Sequence, residues 1–180
     1  LDRCTAAARQ AIDKGIELAK NLSLYSRTDD PVSQPIHLEE LVREIADSTL
    51  DQSACSISLA VPPGTPAVNA DQRHLSIILE NIFKNAAEAM GDGGTITIET
   101  SVYQQPERSV MRIDITDNGC GIPAQARSRV FEPLFSTKPH KNGMGLTVAR
   151  ALAVRNNGDI SVESSEEEGR TTVTISLPIA

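Results

Sequence analysis

The chain has 180 residues, room for one domain of ordinary size with a small appendage and not for two large ones. Apolar residues at 39% and charged residues at 23% exclude disorder and a disulfide scaffold, and 3% aromatic residues with no Trp leave a core of Ile, Leu, Val and Ala with few rings on which bases could stack. The net charge is −7: residues 1–35 hold five basic and five acidic residues and the remainder 12 basic against 19 acidic, so a polyanion is repelled unless basic residues cluster, and nucleic acid is not an expected partner.

Cys4, Cys55 and Cys120 stand far apart without C-x-x-C spacing, which points to a reducing compartment and to neither zinc nor a disulfide framework. The chain has no run of about 18 apolar residues and no signal-peptide pattern, so no membrane contact is expected of this stretch. It opens on Leu1 rather than Met, and the expectation is a cytoplasmic piece of a longer protein, whose remainder is free to be membrane-anchored.

Residues 1–28 read as one helix, without Pro and rich in Ala, Leu and alternating charge. Cys4, Ala8, Ala11, Gly15, Leu18, Leu22 and Tyr25 fall on an alternating four-three spacing, a bundle seam weakened by small residues; the alternative is a helix packed on its own domain. Asp29-Asp30-Pro31 and Pro35 mark a linker over 29–36. Residues 37–50 form an amphipathic helix, 55–61 a strand, and 71–90 a long helix opened by Asp71 as N-cap and stopped by Gly91-Asp92-Gly93-Gly94. TITIETSV (95–102) and SVMRIDITD (109–117) alternate with period two around a polar turn at Gln104–Glu107, an antiparallel hairpin. A third helix runs from about Met144 to Arg155 and ends at Asn156-Asn157-Gly158, with DISVESS and TTVTISLP as two further strands. The expected fold is a two-layer α/β (α+β) sandwich, a mixed sheet of about five strands under three helices, preceded by one long helix. Residues 118–143, with Pro123, Pro133 and Pro139 and glycines near both ends, read as a movable lid.

Chemistry begins on the long helix. Leu75, Ile78, Leu79, Ile82, Phe83 and Ala86 form a wide apolar face, and Asn81, Asn85 and Glu88 a separate polar stripe, which is either solvated surface or part of a site. Met111, Ile113, Ile115 and Asp117 share one parity, so a carboxylate ends an inward-facing column. Such a group needs a partner, and an exocyclic amino group such as adenine N6 supplies one. Asn118-Gly119-Cys120-Gly121 permits close backbone approach to a flat ring, though Asp-Asn-Gly is also a common turn. Gly143-Met144-Gly145-Leu146 opens the third helix and exposes backbone N–H groups suited to phosphate. There is no GxxxxGK[ST] and no GxGxxG after a strand, so neither a P-loop nor a Rossmann site is supported.

Taken in order, ENIFKNAAEA with Asn85, DNGCGIP (117–123), FEPLFSTK (131–138), GMGL (143–146) and GRT (169–171) resemble the N, G1, F, G2 and final glycine boxes of bacterial sensor histidine kinases. That group belongs with gyrase and the mitochondrial protein kinases in the GHKL superfamily of Bergerat-fold ATPases. The resemblance covers residues 36–180. LAKNLSLYSR resembles the end of the second helix of the family's dimerisation and phosphoacceptor hairpin, and FEPLFSTK with GMGL is most similar to the nitrogen-regulation and oxygen-sensing branch.

The resemblance implies that Asn85 holds Mg²⁺ against the ATP triphosphate and Asn81 supports the phosphate side. It implies that Asp117 takes adenine N6, with Gly119, Gly121 and Ile122 shaping the adenine pocket. Gly143, Met144, Gly145 and Leu146 would hinge the lid and cradle phosphates, Phe131 and Phe135 would anchor the lid on the core, and Thr171 would reach adenine through water. Lys138 is either a phosphate contact or a solvated lid lysine. The implied activity is transfer of the ATP γ-phosphoryl group to a histidine and thence to an Asp of a response-regulator receiver domain, in a homodimer built on the hairpin. Two departures stand out: Glu88 occupies a position where many members carry Lys or Arg, and none of His37, His74 and His140 resembles the acceptor, which is expected upstream of Leu1. The alternatives are a serine/threonine protein kinase of the same superfamily and a non-catalytic docking or phosphotransfer module.

Overall fold

The chain runs α1 (Asp2–Ser26), β1 (Gln34–Ile36), α2 (Leu38–Leu50), β2 (Cys55–Ala60), β3 (Val68–Ala70), α3 (Gln72–Met90), β4 (Gly94–Gln104), β5 (Ser109–Asp117), α4 (Ala124–Arg127), α5 (Gly145–Arg155), β6 (Asp159–Ser165) and β7 (Arg170–Pro178). The structure, a computed structural model, describes residues 2–26, 30–51, 53–104, 108–138 and 141–180, and within α1 the side chains at 5, 9, 12, 15, 16 and 18–26. Pro139, His140, the turn residues at 105–107, the expected helix end and linker start at 27–29, and the side chains of the seam positions Cys4, Ala8 and Ala11 lie outside what is described.

Period-two alternation builds the sheet. The strands lie in the order β2-β4-β5-β7-β6, with β4–β5, β5–β7 and β6–β7 antiparallel and β2 parallel to β4, which is the expected mixed five-stranded sheet. Ile96, Ile98, Ile113, Ile115, Val173 and Ile175 point to one face, where they join the buried residues of α2, α3 and α5 in a single core. The opposite face carries Arg112, Asp114, Thr116, Thr172 and Thr174, tied to one another by Arg112–Asp114 at 2.8 Å, Thr174–Asp114 at 2.6 Å and Thr116–Thr172 at 2.9 Å.

Helix α3 is the spine of the helical layer. It begins where Asp71 Oδ1 accepts the backbone N–H groups of Arg73 (2.9 Å) and His74 (3.3 Å) and ends at Gly91, whose φ of 58° closes the last turn. Its six predicted apolar positions are the six buried ones, Phe83 among them with no exposed surface, so truncating Phe83 to Ala would cost about 3–5 kcal/mol. The Asn156 side chain joins α3 to the end of α5: its Oδ1 accepts the Asp71 N–H (2.7 Å), and its Nδ2 donates to Leu152 O (2.7 Å) and meets His74 Nδ1 (3.1 Å).

Three features differ from expectation. Residues 34–36, expected in a linker, are strand β1, paired antiparallel with β3 through Gln34↔Ala70, Pro35↔Asn69 and Ile36↔Val68. Three-residue strands are too short to show alternation, and a two-stranded ribbon tolerates Pro. The preceding chain is also held, because Val32 N–H donates to Asp71 Oδ2 at 2.9 Å. Second, the 118–143 segment contains the single turn α4, which buries Ala126. Third, the α1 seam is divided: Leu18 packs against the domain core together with Leu24, while Gly15, Leu22 and Tyr25 are exposed alongside Ile12 and Ile16. Arg155 fastens α1 to α5 through Tyr25 O at 3.2 Å. No helix among the described residues is long and apolar enough to cross a membrane.

Candidate functional site

The sheet register puts three polar side chains in one row. Asp117 on β5 faces Thr171 on β7, and Thr171 faces Ser164 on β6, with Ile96 of β4 closing the row on the other side. Asp117 ends the apolar column as predicted, 6% exposed, and among the described residues its one hydrogen-bond donor is the Gly119 N–H at 3.0 Å. Burial pushes its carboxyl above the ordinary value of 3.8, with the Gly119 N–H and the Lys138 charge acting against that rise. A buried carboxylate with one donor has capacity for another, and a neutral N–H₂ group of a ligand fits it. Ser164 was missed at the sequence level. Its hydroxyl takes the Ile122 N–H (2.8 Å), donates to Arg170 O (2.9 Å) and meets Thr171 Oγ1 (2.9 Å), so it holds the Gly121-Ile122 backbone against the sheet. The available signal was that of Asp117: a polar residue ending an inward column, here Ile160, Val162 and Ser164.

The Gly119 segment presses on the end of α3. A Cβ at Gly119 would stand 2.7 Å from Ala89 Cβ, and Cys120 N–H donates to Ala89 O at 3.1 Å. Gly169 closes the same corner, since a Cβ there would meet Gly119 O at 3.2 Å.

The second half of the site lies where α3 passes the start of α5. Asn81 Nδ2 donates back along its helix to Ile77 O at 2.8 Å, which leaves Oδ1 directed at α5. A Cβ on Gly145 would stand 2.9 Å from Asn81 Oδ1, too close without a shift, and 3.7 Å from Asn85 Nδ2, an ordinary contact, so the glycine lets the helix terminus come this close to Asn81. Met144 at the N-cap provides no side-chain hydrogen bond, and the start of α5, with the positive end of its dipole, lies beside the amides. An amide oxygen from Asn81 and an amide N–H₂ group from Asn85 beside a helix N-terminus make a place for phosphate oxygens, and amide oxygens suit the hard cation that accompanies them. Met144 is buried at 1% exposure and packs beneath the site, and Leu146 packs against the core.

The 118–143 segment is fastened at several points. Phe131 packs on the core under the Arg150 guanidinium (4.8 Å to the ring centre), and Phe131 O accepts Thr147 Oγ1 at 3.1 Å. Phe135 does not join that core as expected. It lies half-buried within the segment with Arg129 4.2 Å above its ring, because the φ of 64° at Leu134 turns the chain there. Gly143, at φ 63°, passes directly over Phe135 O. Lys138 and Lys141 both pair with Glu88; burial raises the Glu88 carboxyl, but hydrogen bonds from Lys141 and Lys138 outweigh it and hold the group below its ordinary value. Of the expected site residues, the structure thus gathers Asp117, Thr171, Gly119, Gly121 and Ile122 at one end and Asn81, Asn85, Gly143 and Gly145 at the other, with Lys138 over Asn85 O at 3.5 Å.

Residues 70–180 match the family described as histidine kinase-, DNA gyrase B- and HSP90-like ATPases. Among curated proteins the chain is similar to sporulation kinase A of Bacillus subtilis (30% identical over 164 residues, 89% of this chain and 26% of that protein). It is also similar to the signal transduction histidine-protein kinase AtoS of Escherichia coli (31% over 171 residues, 93% and 28%) and to the sensory histidine kinase/phosphatase NtrB of Rhodobacter capsulatus (28% over 176 residues, 92% and 49%). The chain spans about a quarter to a half of the length of these relatives. Its fold is shared with full-length ShkA, solved in complex with AMPPNP (TM-score 0.81, 22% identity, 99% of this chain and 39% of that one), and with the mycobacterial sensor histidine kinase MprB (TM-score 0.70, 26% identity, 82% and 98%). The family match covers the buried Asp117, the glycine segments packed on α3 and the uncapped start of α5, and the chain belongs to the histidine kinase-, DNA gyrase B- and HSP90-like ATPases.

Proposed function

We propose that this chain is the ATP-binding catalytic domain of a sensor histidine kinase, joined to the second helix of its dimerisation hairpin. The observation that carries the reading is the pairing of two half-sites: a buried carboxylate in a polar row at one end, and two amides against an uncapped helix N-terminus at the other. Asp117 accepts the adenine amino group, and Thr171 with Ser164 supports that edge. Gly121 and Ile122 line the base, and the N–H groups from Gly145 onward receive phosphate oxygens. Mg²⁺, which neutralises charge on the triphosphate when bound, fits the amide oxygen of Asn85 with Asn81 beside it. The protein's contribution to γ-phosphoryl transfer is positioning and charge stabilisation, with an imidazole nitrogen as acceptor.

The acceptor is supplied by the hairpin outside this chain. His37 is an exposed residue at the start of α2 and His74 is engaged with Asn156, neither placed at the phosphate end. Transfer onward to an Asp of a receiver domain, homodimer assembly along the exposed Ile12, Ile16 and Leu22 of α1, and a cytoplasmic location follow from the same reading. Calorimetry with ATP and GTP, with and without Mg²⁺, tests it: ATP is bound and GTP is not, and Asn85→Ala weakens ATP roughly tenfold only when Mg²⁺ is present. Equal binding of guanine nucleotides overturns the adenine assignment, and label from γ-labelled ATP appearing on His37, His74 or His140 overturns the placement of the acceptor.

A further inference from the structure

Glu88 carries the one negative charge on the α3 stripe that holds Asn81 and Asn85, and two cations from the 118–143 segment converge on it. Lys138 Nζ lies 2.9 Å from Glu88 Oε2, and Lys141 Nζ contacts Oε1. The same Lys138 ammonium is 3.5 Å from Asn85 O, and its charge is felt at Asp117. It therefore touches both the carboxylate it pairs with and the Asn85 backbone of the proposed nucleotide site. Glu88 and Asn85 are three residues apart on one helix, so a lysine reaches from one to the other by side-chain rotation. The side chains of Glu88, Lys138 and Lys141 are 29%, 38% and 42% exposed, so these pairs are solvated, screened by salt and open to exchange.

We propose that Glu88 is a competitor built into the site: it holds Lys138 and Lys141 in the nucleotide-free protein and yields them to the terminal phosphates of the bound nucleotide, and so sets the ratio of ATP to ADP affinity. The inference rests on the ATP reading above. A terminal phosphate carries more charge than one carboxylate and offers three acceptor oxygens, so it draws both ammonium groups. The diphosphate, one group shorter, draws them less. Glu88 consequently lowers triphosphate affinity more than diphosphate affinity, which makes it a determinant of specificity.

The test compares the whole chain with its Glu88→Gln variant and with Lys138→Ala/Lys141→Ala, alone and combined with Glu88→Gln, by calorimetry against MgATP and MgADP. Glu88→Gln should tighten ATP by about three- to tenfold and ADP by less, an effect that shrinks at high salt. In the lysine-free background the Glu88→Gln gain should largely vanish. Without any nucleotide, amide hydrogen exchange at 136–138 and 141–143 should quicken in Glu88→Gln. An unchanged ATP to ADP ratio, or equal weakening of both nucleotides, overturns the proposal while leaving the nucleotide site standing. Failure of the unsubstituted chain to bind either nucleotide removes the nucleotide reading and the proposal together, whereas quickened exchange then shows only that the pairs hold the loop.

Discussion

The two ends of the site are held by different means. At the base end, Asp117, Thr171 and Ser164 are placed by hydrogen-bonded strand register, and the glycine segment beside them is clamped by backbone contacts to Ala89 and by the Ser164 hydroxyl. At the phosphate end, the cationic groups are held by side-chain ion pairs to one partly exposed carboxylate. Moving the first set requires breaking a sheet, whereas moving the second requires only rotation of flexible side chains in solvent. A rigid surface thus adjoins a rearrangeable one, which suits the proposed nucleotide, whose base would stay constant while its phosphate tail changes length.

The largest test of this contrast removes the charge at the rigid end. Asp117→Asn should cost about 1.5–3 kcal/mol, roughly ten- to a hundredfold, for ATP, ADP and AMP alike, as read by calorimetry. A loss confined to ATP would show that the two ends are not separable. The pH dependence should follow. Burial raises the Asp117 carboxyl above 3.8 against the opposing Gly119 N–H and Lys138 charge, so the folded free protein takes up this proton at a higher pH than the unfolded chain does. Protonation at Asp117 then adds stability as pH falls through that window, and it removes the charged acceptor. Adenine affinity should therefore decline on acidification above pH 3.8 in the native protein, and the Asn variant should show no corresponding decline.

Gly145→Ala probes the other end. A Cβ 2.9 Å from Asn81 Oδ1 forces the amide or the helix start to shift, so ATP affinity should fall about tenfold while adenosine affinity holds. Equal loss of both ligands in titrations would mean that strain at α5 reaches the sheet. The smallest effect is expected from Ser164→Ala, which strands the Ile122 N–H and should lower stability by about 1 kcal/mol in urea unfolding, with a modest loss of adenine affinity. No change in either measurement would reduce the Ser164 hydroxyl to a bystander.

Much of the framework was legible in the sequence because it rests on periodicity. The Asp117 column, the six-residue face of α3 and its Asp71 cap all follow from local spacing, and the order of the glycine segments supplied the rest of the expected site. What escaped rests on contacts between distant residues. Ser164 meets Ile122 across 42 residues, Lys138 meets Glu88 across 50, and Val32 meets Asp71 across 39, separations that no periodic pattern encodes. Glu88 is the instructive case: the sequence shows a lone carboxylate at the end of a polar stripe, while the structure shows two positive charges brought to it from elsewhere.

The row Ile96, Asp117, Thr171, Ser164 makes the site vulnerable to changes of chain length more than to changes of residue. One residue inserted or deleted within β5 ahead of Asp117 would turn every following side chain to the opposite face. Asp117 would then point to solvent on the Arg112 and Asp114 side, with all of the residues named here still present in the chain. The same holds between Ser164 and Thr171, seven positions apart, where the tight turn sets which pair of hydroxyls meets. Drift by insertion and deletion is therefore tolerable in the connection 61–67 and excluded from 110–117 and 164–171, a constraint on evolution at the level of backbone count that point substitutions would never reveal.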